Sequence, residues 1–110
     1  MATLFKNKLY SELGTDNTTV LTTESNAKTT VIGLSLTNLT DSIVLVSVQL
    51  EDTITTDTAF YAKDVLIPPN QSLRLINGGE RLVLGPSTSV KIQSNTLNSL
   101  DLVMSYVEIV

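Results

Sequence analysis

The ten residues 64–73, DVLIPPNQSL, set two adjacent prolines between two apolar runs in a chain that holds only three prolines. Pro68 and Pro69 have no amide hydrogen to give to a sheet ladder, and a proline keeps the residue before it extended. A strand reaching Ile67 must therefore stop there and resume, displaced, near Ser72. In a β-protein such a break marks a crossing from one sheet to another.

The sequence on either side of this break reads as β. In TTVIGLSLTNLT, residues 29–40, Ile32, Leu34 and Leu36 alternate with Gly33, Ser35 and Thr37, the pattern of a strand with one face in a core. In SIVLVSVQLED, residues 42–52, Val44, Val46, Val48 and Leu50 share one side. The turn-prone link Asn38-Leu39-Thr40-Asp41 has hairpin length, which predicts that these two runs are antiparallel neighbours. Further strands are predicted over residues 60–67, 72–76, 81–84, 89–93 and 100–109, separated by the turn sequences NGG, GPSTS and SNTLNS. Abundant Val, Ile and Thr with little Ala disfavour helix. Short strands at this spacing predict an all-β fold, an antiparallel β-sandwich of jelly-roll or Ig-like form with about seven to nine strands. A length of 110 residues suits one domain. The turn-rich GTDNTT sets off residues 1–14 as an N-terminal segment, either an ordinary first strand or a docking arm, leaving residues 15–110 as a single sandwich domain.

Composition excludes several kinds of chemistry. Without cysteine or histidine the chain has no disulfide and no thiolate- or imidazole-bound metal. Seven Lys and Arg against a net charge of −4 argue against nucleic acid as a partner. Lys6 and Lys8 interrupt the apolar residues of MATLFKNKLYSEL, which is not the layout of a signal peptide, and no apolar run is long enough for a membrane helix. The expected product is made in the cytoplasm and not secreted, so the sequons at Asn17, Asn38 and Asn70 read as products of an Asn/Thr/Ser-rich composition. Glu51, Asp52 and Asp57 lie in EDTITTDTAF without the spacing or glycine of an EF-hand, and read as a charged hairpin end. Asp101 reads as the polar side of a strand, and Gly78-Gly79 as a tight turn without phosphate-loop spacing. No catalytic, cofactor-binding or metal-binding residue is predicted, no cofactor is implied, and the chain does not read as an enzyme.

Two segments read instead as contact surfaces. The run LDLVMSYVEIV, residues 100–110 after Ser99, has Leu102, Met104 and Tyr106 on one face and Val103, Val107 and Ile109 on the other, although one core covers only one face. Near the N-terminus Leu4, Phe5, Leu9 and Tyr10 punctuate Lys and Asn. The candidate interface residues are thus Leu4, Phe5, Leu9, Tyr10, Leu102, Met104 and Tyr106.

The order of these segments, with TTVIGLSLTN, AKDVLIPPNQSL, GGERLVL and SLDLVMSYVEIV, resembles small virion structural proteins of tailed bacteriophages of the marine cyanophage and pelagiphage kind. The resemblance covers nearly the whole chain and implies a non-enzymatic β-sandwich present in many copies in the virion. The resemblance does not assign a place in the virion; the role expected first is a capsid decoration or cement protein, a homotrimer by analogy with decoration proteins, docked on the major capsid protein. A tail, neck or fibre-associated role, with a tail component as partner, is the alternative. A carbohydrate-binding module for host attachment is the competing class, but no Trp and 5% aromatic residues leave few platforms for stacking sugars.

Overall fold

The computed structural model describes residues 2–76 and 80–110; the turn expected at NGG, with Gly78 and Gly79, lies outside the described residues. Among the described residues the chain forms nine strands: β1 Thr3–Leu13, β2 Thr18–Thr22, β3 Lys28–Asn38, β4 Val44–Asp52, β5 Thr58–Ile67, β6 Ser72–Ile76, β7 Leu82–Leu84, β8 Thr88–Ser94 and β9 Leu100–Ile109. β1 pairs with β9, β2 with β8, β3 with both β6 and β7, and β4 with β5, all antiparallel. These pairs make one long ribbon with the β4–β5 hairpin at its tip. The ribbon rolls up so that β9 also pairs with β3 and β8 with β4. Two sheets result, β1-β9-β3-β6 with β7 also on β3, and β2-β8-β4-β5. This is the jelly roll, one of the two sandwich forms expected.

The sheets meet over an apolar core. Val31, Leu34 and Leu36 of β3 and Leu100, Leu102, Met104 and Tyr106 of β9 face Val44, Val46 and Val48 of β4 and Val90 and Ile92 of β8, all buried. Each such side chain, fully buried, contributes roughly 1.5–3 kcal/mol, and they alternate with outward residues as the pleat requires. The alternation breaks once in β3. Between Val31 and Gly33 the register with β9 shifts, Ile32 is the extra residue, and the bulge turns it outward while Leu34 and Leu36 stay inside. Ile32 therefore leaves the core face on which strict alternation had placed it.

The expected hairpin between residues 29–40 and 43–52 does not form. β3 and β4 lie in opposite sheets, and the link between them is a corner of the roll. Its backbone groups bond to other corners: Leu39 N donates to Ser99 O at 2.8 Å, and Asn70 N to Thr40 O at 3.1 Å. Both strands carry an apolar face, and facing them across a core buries both. The proline break is a crossing, as its sequence predicts: β5 ends at Ile67 in one sheet and β6 begins at Ser72 in the other. The structure also adds β2, where Val20 and Leu21 are consecutive yet both buried because the register with β8 shifts between Thr19 and Leu21. Two-residue alternation passes over such a strand.

Buried polar side chains pin the corners. Asn38, 1% exposed, donates from Nδ2 to Ser42 O, Ile67 O and Pro68 O at 2.8, 3.0 and 3.1 Å, and its Oδ1 accepts from Thr40 N and Thr40 Oγ1, both at 2.8 Å. It ties the β3–β4 corner to the β5–β6 corner, and an amide so engaged is closed to a glycan. Thr23 Oγ1 donates to Gly85 O at 2.7 Å and accepts from Thr88 N at 2.8 Å, joining the β2–β3 and β7–β8 links. Ser94 and Ser99, with hydroxyls 2.9 Å apart, both donate to Thr96 O at 2.7 Å, beside the turn after β1. Each of these corner groups is matched because the roll stacks two turns at each corner.

Candidate functional site

The core decides which face of β9 is free. Leu102, Met104 and Tyr106 are interior residues, 1%, 1% and 4% exposed, so they are removed from any outward surface. Their alternates Val103, Val107 and Ile109 form the outer face, with Val103 half exposed. β1 lies along β9 from Thr3↔Ile109 to Tyr10↔Leu102, which places Phe5 opposite Val107 and Leu9 opposite Val103 on that outer face. Tyr10 turns to the inner side and packs half-buried against the core, while Leu4 sits at the inner edge opposite Glu108. The seven candidate residues are thus divided among the outer face, the edge and the core.

The outer face of the β1-β9-β3 sheet carries one largely apolar row and a second that is apolar only at its β1–β9 end. Phe5, Val107, Thr30 and Val83 are successive register partners across β1, β9, β3 and β7; Leu9, Val103, Ser35 and Arg74 run likewise into β6. Between them lies a row of small and polar residues, Asn7, Ser105 and Gly33. Phe5, Val83 and Leu9 are 80%, 73% and 67% exposed. The bulged Ile32 stands beside Phe5, and the two rim a shallow hollow of about 730 Å³ over Asn7 and Ser105. Sequence reading singled out neither Val83 nor Ile32. The run Leu82-Val83-Leu84 held the sign for the first, since one of three consecutive apolar residues in a sandwich strand must face out.

The opposite outer face is polar along β4 and β8, but at the β4–β5 margin the half-exposed Leu66 pairs with Leu45 and Phe60 with Gln49. Ser47, Gln49 and Glu51 of β4 pair with Gln93, Lys91 and Ser89 of β8, with Lys91 Nζ 3.0 Å from Glu51 Oε1 and Asn17 Nδ2 3.3 Å from Gln49 Oε1. Phe60 lies at its margin, with Lys63 Nζ 5.2 Å from the ring centroid. Both outer faces carry apolar side chains, and the most exposed of those on the two faces, Phe5, Val83 and Leu9, stand on the β1-β9-β3 side.

The carboxylates considered for chemistry have structural tasks. Asp52 Oδ1 accepts from Ile54 N and Thr55 N at 3.0 and 3.4 Å, Asp57 Oδ2 from Thr55 Oγ1 at 3.1 Å, and Asp101 Oδ1 from Glu12 N at 3.0 Å. Among the described residues no three His, Cys, Asp or Glu gather as metal ligands. Glu108 is on the inner face, 7% exposed, and accepts from Lys6 Nζ at 2.9 Å. That hydrogen bond raises the Lys6 pKa above the ordinary 10.5, against the lowering effect of desolvation and with help from the Glu108 charge.

No family model matches the chain, and no curated protein does. Two solved structures share its fold. One is the crystal structure of the T13 viral particle of IBDV, with a TM-score of 0.56 and 9% identity over 96% of this chain. The other is the structure of infectious bursal disease virus Gt strain, with a TM-score of 0.50 and 10% identity over 98% of this chain. This chain spans 30% of each of those chains. At such identity the likeness is one of fold, and the class that the strand order defines is a jelly-roll β-sandwich.

Proposed function

We propose that this chain is a structural, non-enzymatic component of a virion, acting by self-association and by docking on a larger protein lattice. The observation that carries the reading is the outer face of the β1-β9-β3 sheet, where Phe5, Val83 and Leu9 stand more than two-thirds exposed. The jelly-roll neighbours from a virus particle and the resemblance to tailed-phage virion proteins support the same reading. In its finer form the protein is a decoration or cement protein on a phage head, trimeric, with Phe5 and Leu9 seated on the major capsid protein or on a neighbouring copy. A tail, neck or fibre position is the second form.

The test is a double change, Phe5→Asp with Leu9→Asp. Both side chains are largely solvated, so folding stability moves little, within about 0.5 kcal/mol per site. Incorporation into particles is expected to be lost, and normal incorporation of the double variant overturns the reading. Antibody labelling of intact virions then separates head from tail.

A further inference from the structure

We propose that β1 is an exchangeable strand: in the assembled protein the β1 of one copy lies along β9 of the next copy, in the register it occupies along its own. The proposal rests on the self-association reading above and names its contact. From Thr3 to Glu12 no residue of β1 is buried; only Leu13, at its end, enters the core. On its inner side β1 lays Lys6 and Lys8 beside Tyr106 and Met104, at positions where the core strands place Val or Leu. The strand is held by its ladder to β9, by the Lys6–Glu108 pair and by Tyr10, half-buried against the core beside Leu102. Every one of those partners is present in every copy, so a second chain's β1 fits the same slot with the same bonds.

The hinge is visible. Leu13 and Gly14 are anchored: Leu13 O accepts from Ser99 N and Gly14 O from Ser94 N, both at 2.9 Å, and a Cβ at Gly14 would stand 3.1 Å from Asn98 N. Immediately before them the register breaks between Tyr10 and Leu13, and Glu12 has φ 55°, a left-handed conformation that costs a residue with a side chain. Swinging residues 2–10 outward about Ser11 and Glu12 releases that strain and leaves the anchor intact.

Simple edge-to-edge pairing of two β1 strands is the competing contact, and charge opposes it. An antiparallel pair centred on Lys6, Asn7 or Lys8 sets Lys6 against Lys6, Lys6 against Lys8, or Lys8 against Lys8. Exchange onto β9 instead gives Lys6 the buried Glu108 of the neighbour.

The chain has no cysteine, so an introduced pair reports alone. Asn7 and Ser105 are direct register partners, a spacing open to a cross-strand disulfide. In the full chain carrying Asn7→Cys and Ser105→Cys, assembled at high concentration and oxidised until no free thiol titrates, exchange predicts covalent oligomers on a non-reducing denaturing gel. In a trimer these close after three chains. A product that runs wholly as one chain with an internal disulfide overturns the exchange. Adding Glu12→Gly, which removes the strain of the closed form, is expected to raise the internally bridged fraction roughly five-fold or more; an unchanged fraction overturns the hinge. Internal bridging in a protein that still incorporates into particles defeats exchange and leaves the virion reading standing. Failure of the unmodified chain to appear in particles defeats that reading itself.

Discussion

Replacing Asn38 by Ala is expected to be the most damaging single polar change in the protein. The amide is 1% exposed and joins two corners through Ser42 O, Ile67 O, Pro68 O and Thr40 N. Its two amide hydrogens are shared among three carbonyls, so two good donations and the acceptance from Thr40 N are lost, each worth about 1 kcal/mol net. The bond to Ile67 O is buried, and its loss adds part of the penalty for a buried acceptor that keeps only its ladder pairing with Val44. The total is about 3–4 kcal/mol, against a stability of roughly 5–15 kcal/mol for a domain of this kind. Urea unfolding should show a lowered midpoint with an unchanged slope, and a melting temperature lower by roughly 12–16 °C. Asn38→Asp keeps the shape but turns carboxylate oxygens toward three carbonyls, and should be no better than Ala. A loss below about 1 kcal/mol in the alanine variant, or wild-type stability in the aspartate variant, would refute the idea that one amide holds two corners.

Thr29 is 1% exposed and its Oγ1 is the one buried side-chain polar atom among the described residues without a hydrogen-bond partner. Thr29→Val removes that hydroxyl at nearly constant shape and should raise stability by about 1 kcal/mol in the same urea titration; a loss would show that the hydroxyl is paired in solution. With no histidine or cysteine, melting temperature should be nearly flat between about pH 6 and 8. Because the folded-state pKa of Lys6 is raised, its contribution is complete below the ordinary 10.5 and is lost as pH rises through the folded value. The stability gap between wild type and Lys6→Gln should therefore close in strongly alkaline solution, and a gap independent of pH would assign Lys6 no role through its charge.

What could be read from the sequence followed from strictly local causes. Val44, Val46 and Val48 alternate without interruption, and all three are buried; Pro68-Pro69 forbid a ladder, and the chain changes sheets there. What could not be read depended on partners distant in sequence. The bulge that expels Ile32 exists only against Ser105 and Tyr106, and the corner at Asn38 resembles a hairpin turn until Ile67 and Pro68 arrive to accept from its amide. In a chain rich in Thr, Ser and Asn, nothing marks Asn38, Thr23, Ser94 and Ser99 as the buried ones. The two faces of β9 were both legible as apolar, but only the rolled ribbon decides that Leu102, Met104 and Tyr106 go inward and Val103 and Val107 outward.

The way the fold treats its sheet edges explains why β1 is the strand available for assembly. An unprotected edge is a template for another chain, and natural sheets shorten, bend or charge their edges against it. β2 is five residues long, and β6 and β7 divide the far edge of the other sheet into two short strands. β5 is long, yet its pairing with β4 is broken on both sides of Val48, Asp64 takes a φ of 50°, and the strand runs into Pro68. β1 has eleven residues and an unbroken register from Thr3 to Tyr10, guarded chiefly by Lys6 and Lys8. Those lysines oppose another β1 along that free edge, whereas on the side that faces β9 Lys6 meets Glu108, its own or a neighbour's. A long strand guarded against edge pairing but matched to any copy's β9 is thus suited to exchange, and it borders the apolar face that Phe5 and Leu9 present.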